Sequence, residues 1–246
     1  MRQNAMVSRV HRSWLAADER NLLVWLAARL PGWATPDQLT VLGVAGALLC
    51  GGSFWASSLS PRFLWLACLG LVINWFGDSL DGSLARYRNI ERPHYGFFID
   101  HTTDVVSQTF IFIGLGLSHY MRFDMACLML MSYWIAALYT FIRAVAAQIF
   151  QISYFGVGPT EIRIGLVAYT FGLLAIGPFS FDTPAGTASP LDAISVVAFV
   201  GVFVSFIVMA WSEGRRLAAL DAQAEQSPPP AKSWPIGRKA KTEAAG

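Results

Sequence analysis

Four aspartates, Asp78, Asp81, Asp100 and Asp104, stand within 27 residues of one another, and their spacing is the most chemically specific feature of the chain. Asp78 and Asp81 are three apart, with Gly82 and Ala85 following at helical intervals. At about 100° per residue, these four positions fall within roughly a third of a helix circumference. Gly96, Asp100 and Asp104 then step by four, so they share one face of a following helix. Two carboxylates on one helix facing two on its neighbour make an oxygen cage suited to hard divalent cations such as Mg²⁺. The flanking segments are long and apolar, and an ionised Asp inside a membrane span costs on the order of 2.5–3.5 kcal/mol. Four together need compensation, which metal ions supply.

The elements that must position these residues are membrane helices. The 246 residues are 54% hydrophobic and only 14% charged, and the mean hydropathy is +0.46. A soluble domain has about a quarter of its residues charged, so this composition belongs to a helical membrane protein. The net charge of +2 and the scattered arginines exclude a dense basic surface for nucleic acid. Cys50, Cys68 and Cys127 lie in apolar segments without CxxC spacing and read as small buried residues.

Residues 1–12 are polar and basic without a continuous apolar core, so no cleavable signal peptide is expected. Across residues 13–30, Leu15, Leu22, Leu26 and Leu30 recur at helical spacing opposite Asp18, Glu19, Arg20 and Arg29. This pattern predicts an amphipathic helix in the membrane interface or, alternatively, one docked on the bundle. Six spans are predicted, near residues 38–58, 63–86, 95–117, 125–148, 161–177 and 191–211, each approaching the ~20 residues that cross a bilayer. The expectation is therefore an all-α bundle. Residues 1–34 form an N-terminal cytoplasmic segment, 35–216 a six-span catalytic domain and 217–246 a disordered cytoplasmic tail rich in proline and charge. Lys and Arg concentrate before the first span, in the loop with Arg86, Arg88 and Arg92, and after Arg215, whereas the alternate side carries Arg62 and Arg122. That asymmetry predicts cytoplasmic termini and a cytoplasmic aspartate site, in the inner membrane if the source is bacterial.

Taken together the spacing is D-x2-D-G-x2-A-R-x9-G-x3-D-x3-D, carried by Asp78, Asp81, Gly82, Ala85, Arg86, Gly96, Asp100 and Asp104. It resembles the signature of the CDP-alcohol phosphotransferase family, membrane enzymes of phospholipid synthesis. The resemblance implies transfer of a phospho-alcohol unit from a CDP-alcohol to an acceptor hydroxyl with release of CMP. It further implies two Mg²⁺ or Mn²⁺ ions on Asp78, Asp81, Asp100 and Asp104, with Asp104 also the general base. Asp78, Gly82, Ala85, Arg86 and Gly96 would bind the CDP moiety, and the protein would be a homodimer. Two plainer readings compete: a salt-bridged helix cap, and an ion or substrate transporter using intramembrane carboxylates. The completeness of the spacing opposes the first, and the placement of all four acids at one end opposes the second.

The acceptor is less legible. Asp100-His101 and Thr160-Glu161 resemble the choline and ethanolamine phosphotransferase branch, which implies diacylglycerol as acceptor. Pro36-Asp37-Gln38-Leu39-Thr40 resembles the Pro-Asn-x-x-Thr opening the family's first span, with Asp in place of Asn. Arg143, near the inner end of the fourth span, and Arg163, after the Gly156–Pro159 turn, are candidate phosphate contacts, as is His101. If both arginines line the cavity, a CDP-diacylglycerol donor with a soluble acceptor such as glycerol phosphate, inositol phosphate or serine becomes the alternative.

Overall fold

The structure is a computed structural model that describes residues 8–10, 16–147, 149–151, 159–184 and 186–226. Seven α-helices account for most of these: α1 (Ala16–Ala27), α2 (Pro36–Ala56), α3 (Phe63–Tyr87), α4 (Pro93–Gly116), α5 (Phe123–Ala147), α6 (Pro159–Ile176) and α7 (Pro190–Gln226). Two short strand pairs join them, β1 (Ser8–Val10) with β2 (Ile149–Gln151) in parallel and β3 (Phe181–Thr183) with β4 (Gly186–Ala188) antiparallel. The all-α expectation is met. Five helices, α2, α3, α5, α6 and α7, are long and apolar enough to cross a membrane. The chain divides into two units, Met1–Val208 and Met209–Gly246. The second is helical as far as Gln226, with an Arg216–Glu213 ion pair at 2.8 Å, and the remainder of the predicted tail lies outside the described residues.

Within the first unit α2 is the organising helix. Thr35 caps it reciprocally: its Oγ1 accepts from the Gln38 N–H at 3.2 Å while its own N–H donates to Gln38 Oε1 at 2.9 Å. Pro36 follows at the first helical position, where its missing N–H leaves no donor unpaired. Small residues then let the backbones of α2 and α3 touch. A Cβ added at Gly46 would fall 2.8 Å from the Gly70 carbonyl oxygen, and one at Gly70 would fall 2.5 Å from the Cys50 nitrogen. In lipid, where no hydrophobic force drives helices together, such close backbone contact is what holds them. On its other side α2 meets α4 the same way, through Gly51 and Gly114.

The main core gathers Phe54 of α2, Leu64 and Leu71 of α3, Ile111 and Leu115 of α4 and Leu166 of α6, all buried. A second cluster joins Leu23 and Ala27 of α1 to Leu39 of α2 and Leu80 and Leu84 of α3. So α1 buries one face against the motif-bearing helix, while Leu22, Val24 and Trp25 remain exposed on it. At the end of α3, Asn89 takes a left-handed conformation (φ 56°). The Ile90 N–H returns to the Ala85 carbonyl at 3.0 Å and the Asn89 N–H to that of Arg86 at 3.1 Å. This is a Schellman stop, and Pro93 restarts the chain as α4. The turn thus reverses the chain between the two halves of the aspartate motif. Arg88 fixes it by donating to the carbonyls of Leu30, Pro31 and Ala34 at 3.2, 2.9 and 2.5 Å.

Candidate active site

The two motif halves meet at one end of the bundle. Asp78 and Asp81 project from α3, and Asp100 and Asp104 from α4. The charges of Asp78 and Asp100 act on both Asp81 and Asp104, and Asp78 and Asp104 come within hydrogen-bonding reach of each other. The four carboxylates predicted to act together are therefore one electrostatic unit.

Each has a protein partner. Thr40 Oγ1 of α2 donates to Asp81 Oδ2 at 2.6 Å in a buried position. Arg163 of α6 donates to Asp78 Oδ2 at 2.7 Å, and its side chain is only 7% exposed. Such a guanidinium is placed by its carboxylate partner, because an unpaired buried charge costs several kcal/mol. His101 Nδ1 lies 2.9 Å from Asp100 Oδ2, and its ring is flanked by Phe97 and Phe141 at centroid distances of 4.2 and 5.0 Å. The Tyr133 hydroxyl of α5 faces Asp104. With the side chains in these positions, no three His, Cys, Asp or Glu groups converge on one metal-sized point among the described residues. Asp78 is turned to Arg163, Asp81 to Thr40 and Asp100 to His101. The donor set nonetheless fits hard divalent cations: four carboxylates offer more oxygen donors than Thr40, Arg163, His101 and Tyr133 take up.

The remaining predicted residues sort themselves around this cluster. Arg86 is exposed and donates to Ser83 Oγ at 3.2 Å, with its guanidinium over Gly82: a Cβ at Gly82 would fall 3.3 Å from Arg86 Nη1. Ala85 is half-buried one turn beyond Asp81 on α3. Gly96 is exposed, with open space where a Cβ would point. Arg143 is half-buried in the last turns of α5. Asp37, which replaces the Asn of the resembled pattern, pairs with Arg92 and so tethers the start of α2 to the turn before α4. Residues 156–158 of the turn ahead of Arg163 lie outside the described residues. Thr40 and Tyr133 escaped the sequence reading as partners of the aspartates, since nothing near them in sequence signals that contact. Beside His101 an apolar groove of about 360 Å³ is lined by Phe97, Phe98, Thr102, Val105, Val106 and Phe141.

A model of the CDP-alcohol phosphatidyltransferase family matches residues 33–211, well over half of the chain, and takes in α2 through α6 with every aspartate of the cluster. This chain belongs to that family. It is also similar to named relatives. Archaetidylinositol phosphate synthase from Pyrococcus horikoshii is 34% identical over 96 residues, 39% of this chain and 48% of the relative. Cholinephosphotransferase 1 from Gallus gallus is 32% identical over 96 residues, covering 37% of this chain and 28% of that protein. The Homo sapiens protein of the same name is 32% identical over 100 residues, covering 38% and 24%. The chain thus spans less than half the length of the curated relatives it matches. Apolar helices and membership of a membrane enzyme family make it an integral membrane protein.

Proposed function

We propose that the protein transfers a phospho-alcohol group from a CDP-alcohol to the hydroxyl of diacylglycerol, releasing CMP, on the cytoplasmic side of its membrane. The observation that carries this reading is the joining of four aspartates from α3 and α4 into one cluster beside Gly82 and Arg86. Asp78, Asp81, Asp100 and Asp104 would hold two Mg²⁺ or Mn²⁺ ions, which when bound neutralise the donor pyrophosphate and stabilise the departing CMP. Gly82, with no side chain, and Ala85, with a small one, leave room for the nucleotide, and Arg86 pairs with a phosphate oxygen. Asp104 takes the proton of the acceptor hydroxyl as its oxygen bonds to the β-phosphorus and the bond from that phosphorus to the bridging oxygen of CMP breaks. Asp78 and Gly96 complete the donor site, and the assembly is a homodimer.

The lipid acceptor is supported by the groove at His101, whose apolar walls of Phe and Val suit an acyl chain with the acceptor hydroxyl at the polar end. A second reading keeps the chemistry but draws on CDP-diacylglycerol and a soluble phosphorylated acceptor. It is favoured by Arg163, buried with its Nε lacking a hydrogen-bond partner among the described residues, and by Arg143 on α5. CMP release by the protein in lipid nanodiscs with Mg²⁺ tests both readings. CDP-choline, CDP-ethanolamine and CDP-diacylglycerol are crossed with diacylglycerol, glycerol phosphate, inositol phosphate and serine. Turnover with diacylglycerol is the expected result. Turnover only from CDP-diacylglycerol onto a soluble acceptor establishes the second reading, and no turnover with any pair refutes both.

A further inference from the structure

Glu19 of α1 sits far from the aspartate motif in sequence, yet its Oε1 accepts two hydrogen bonds from the helices that build the site. Trp75 Nε1 of α3 donates to it at 3.0 Å, and Thr160 Oγ1 of α6 donates to it at 2.7 Å. Trp75 and Asp78 are three residues apart on α3, and Thr160 and Arg163 are three apart on α6. Residues three apart on a helix lie on one face, one turn above the other. The two helices are therefore cross-linked by two successive rungs. The first is Trp75–Glu19–Thr160, and the second, one turn further on, is Asp78–Arg163 at 2.7 Å.

The second rung alone does not fix the spacing of α3 and α6. Arg163 is a long side chain that can follow a shifting partner, whereas Glu19 is itself held. Its helix is docked through Leu23 and Ala27 on Leu80 and Leu84 of the motif-bearing α3. Thr160 lies in the first turn of α6, the part of that helix with the fewest intrahelical constraints. A carboxylate that receives both an indole N–H and a hydroxyl at that turn sets where α6 begins, and with it where Arg163 enters the cluster. Charge-assisted bonds of this kind are about twice as strong as neutral ones.

We propose that Glu19 is a positioning residue for the active site, its carboxylate fixing the start of α6 against α3 so that Arg163 meets Asp78. The proposal rests on the phosphotransferase reading for its kinetic consequence and on geometry alone for its structural one, so two measurements separate them.

The kinetic test compares Glu19→Leu, Glu19→Gln, Arg163→Ala and the Glu19→Leu/Arg163→Ala double variant for CMP release in nanodiscs. Glu19→Leu is expected to lower kcat about tenfold or more with the KM for the CDP donor within about twofold, since a misaligned cluster loses rate before ground-state binding. Glu19→Gln keeps the accepting oxygen and is expected to restore most of that rate. In the double variant Glu19→Leu should add nothing to the loss caused by Arg163→Ala, because it acts through that residue. Additive losses overturn the proposal. The second measurement, hydrogen exchange of α6 by mass spectrometry, needs no substrate. Faster exchange at the start of α6 in Glu19→Leu but not in Glu19→Gln is expected. Unchanged exchange in Glu19→Leu overturns the proposal even in an active enzyme. If the wild type releases no CMP with any pair, the phosphotransferase reading fails, and the exchange result still decides whether Glu19 holds α6.

Discussion

Gly77 immediately precedes Asp78, and replacing it with alanine should disable the site without touching any of its polar groups. A Cβ at Gly77 would fall 2.6 Å from the Cα of Gly43, and closer still to the Gly43 nitrogen and the Leu39 carbonyl oxygen. Ordinary contact begins at 3.4 Å, so α2 and α3 would have to part by about 1 Å at this level. The three nearest atoms are all backbone, so the contact cannot be relieved by turning a flexible side chain away. Overpacking of this kind costs roughly 1–3 kcal/mol of stability. The larger effect should be on turnover. The displacement lies between Asp78 on α3 and Thr40 on α2, whose 2.6 Å bond to Asp81 spans the gap being opened. A misplacement of 1 Å at a catalytic constellation is worth about 100-fold in rate. CMP release and thermal unfolding of Gly77→Ala in nanodiscs should therefore show kcat down by about two orders of magnitude with a modestly lower melting temperature. Gly52→Ala and Gly165→Ala serve as controls, since open space meets a Cβ at both positions. A Gly77→Ala protein with wild-type turnover and melting would refute the contact between the two helices and the geometry built on it.

Further outcomes follow from the same cluster. Asp104→Asn should abolish CMP release while donor binding, measured by calorimetry with a CDP-alcohol, is largely kept; surviving turnover would remove Asp104 as the base. Gly82→Leu should weaken donor binding at least tenfold by filling the space beneath Arg86, and unchanged affinity would sink the assignment of that face to the nucleotide. A divalent-cation chelator should silence the protein and Mg²⁺ restore it, whereas activity persisting in chelator would overturn the two-metal reading.

What the sequence made legible is what periodicity can carry. Asp78 with Asp81 and Asp100 with Asp104 each share a helix face because a 3.6-residue period places residues three or four apart together, and the structure keeps each pair on one helix. The apolar helices were equally plain, with expected bounds near 38–58 and 161–177 against Pro36–Ala56 and Pro159–Ile176. What no local pattern encodes is contact between helices. Thr40 reaches Asp81 across 41 residues, Arg163 reaches Asp78 across 85, and Thr160 reaches Glu19 across 141. Arg163 drew notice as a candidate phosphate contact, but its pairing with Asp78 depends on how α6 lies against α3, which is a property of the bundle. Likewise no local pattern marks Gly43, Gly46, Gly70 and Gly77 as contacts between helices. Only their opposition across the interface, Gly46 to Gly70 and Gly43 to Gly77, shows why no larger side chain fits.

The count of spans turns on α4, which is long enough to cross a bilayer at 24 residues but is not among the five helices apolar enough to do so. Its polarity is the polarity of the site. Asp100, His101 and Asp104 lower its hydropathy, and the hydroxyls of Thr102 and Thr103 are satisfied by the helix's own carbonyls at 2.7 and 2.9 Å. Polar groups partnered within the protein do not need water, so composition understates what this helix tolerates in lipid. Its neighbour gives a reason to expect a sixth span. Near its start, Asp100 acts on Asp81, which Thr40 holds at the beginning of α2. Near its end, Gly114 lies against Gly51, well along α2. Side by side with α2 over this length, α4 is expected to share the depth of a helix that is itself long and apolar enough to cross a membrane. Single cysteines at Ile90 and Leu117, both exposed, in a background without the three native cysteines, should then react with an impermeant thiol reagent from opposite sides of a sealed vesicle. Labelling of both from one side would leave α4 as a re-entrant element and reduce the bundle to five spans.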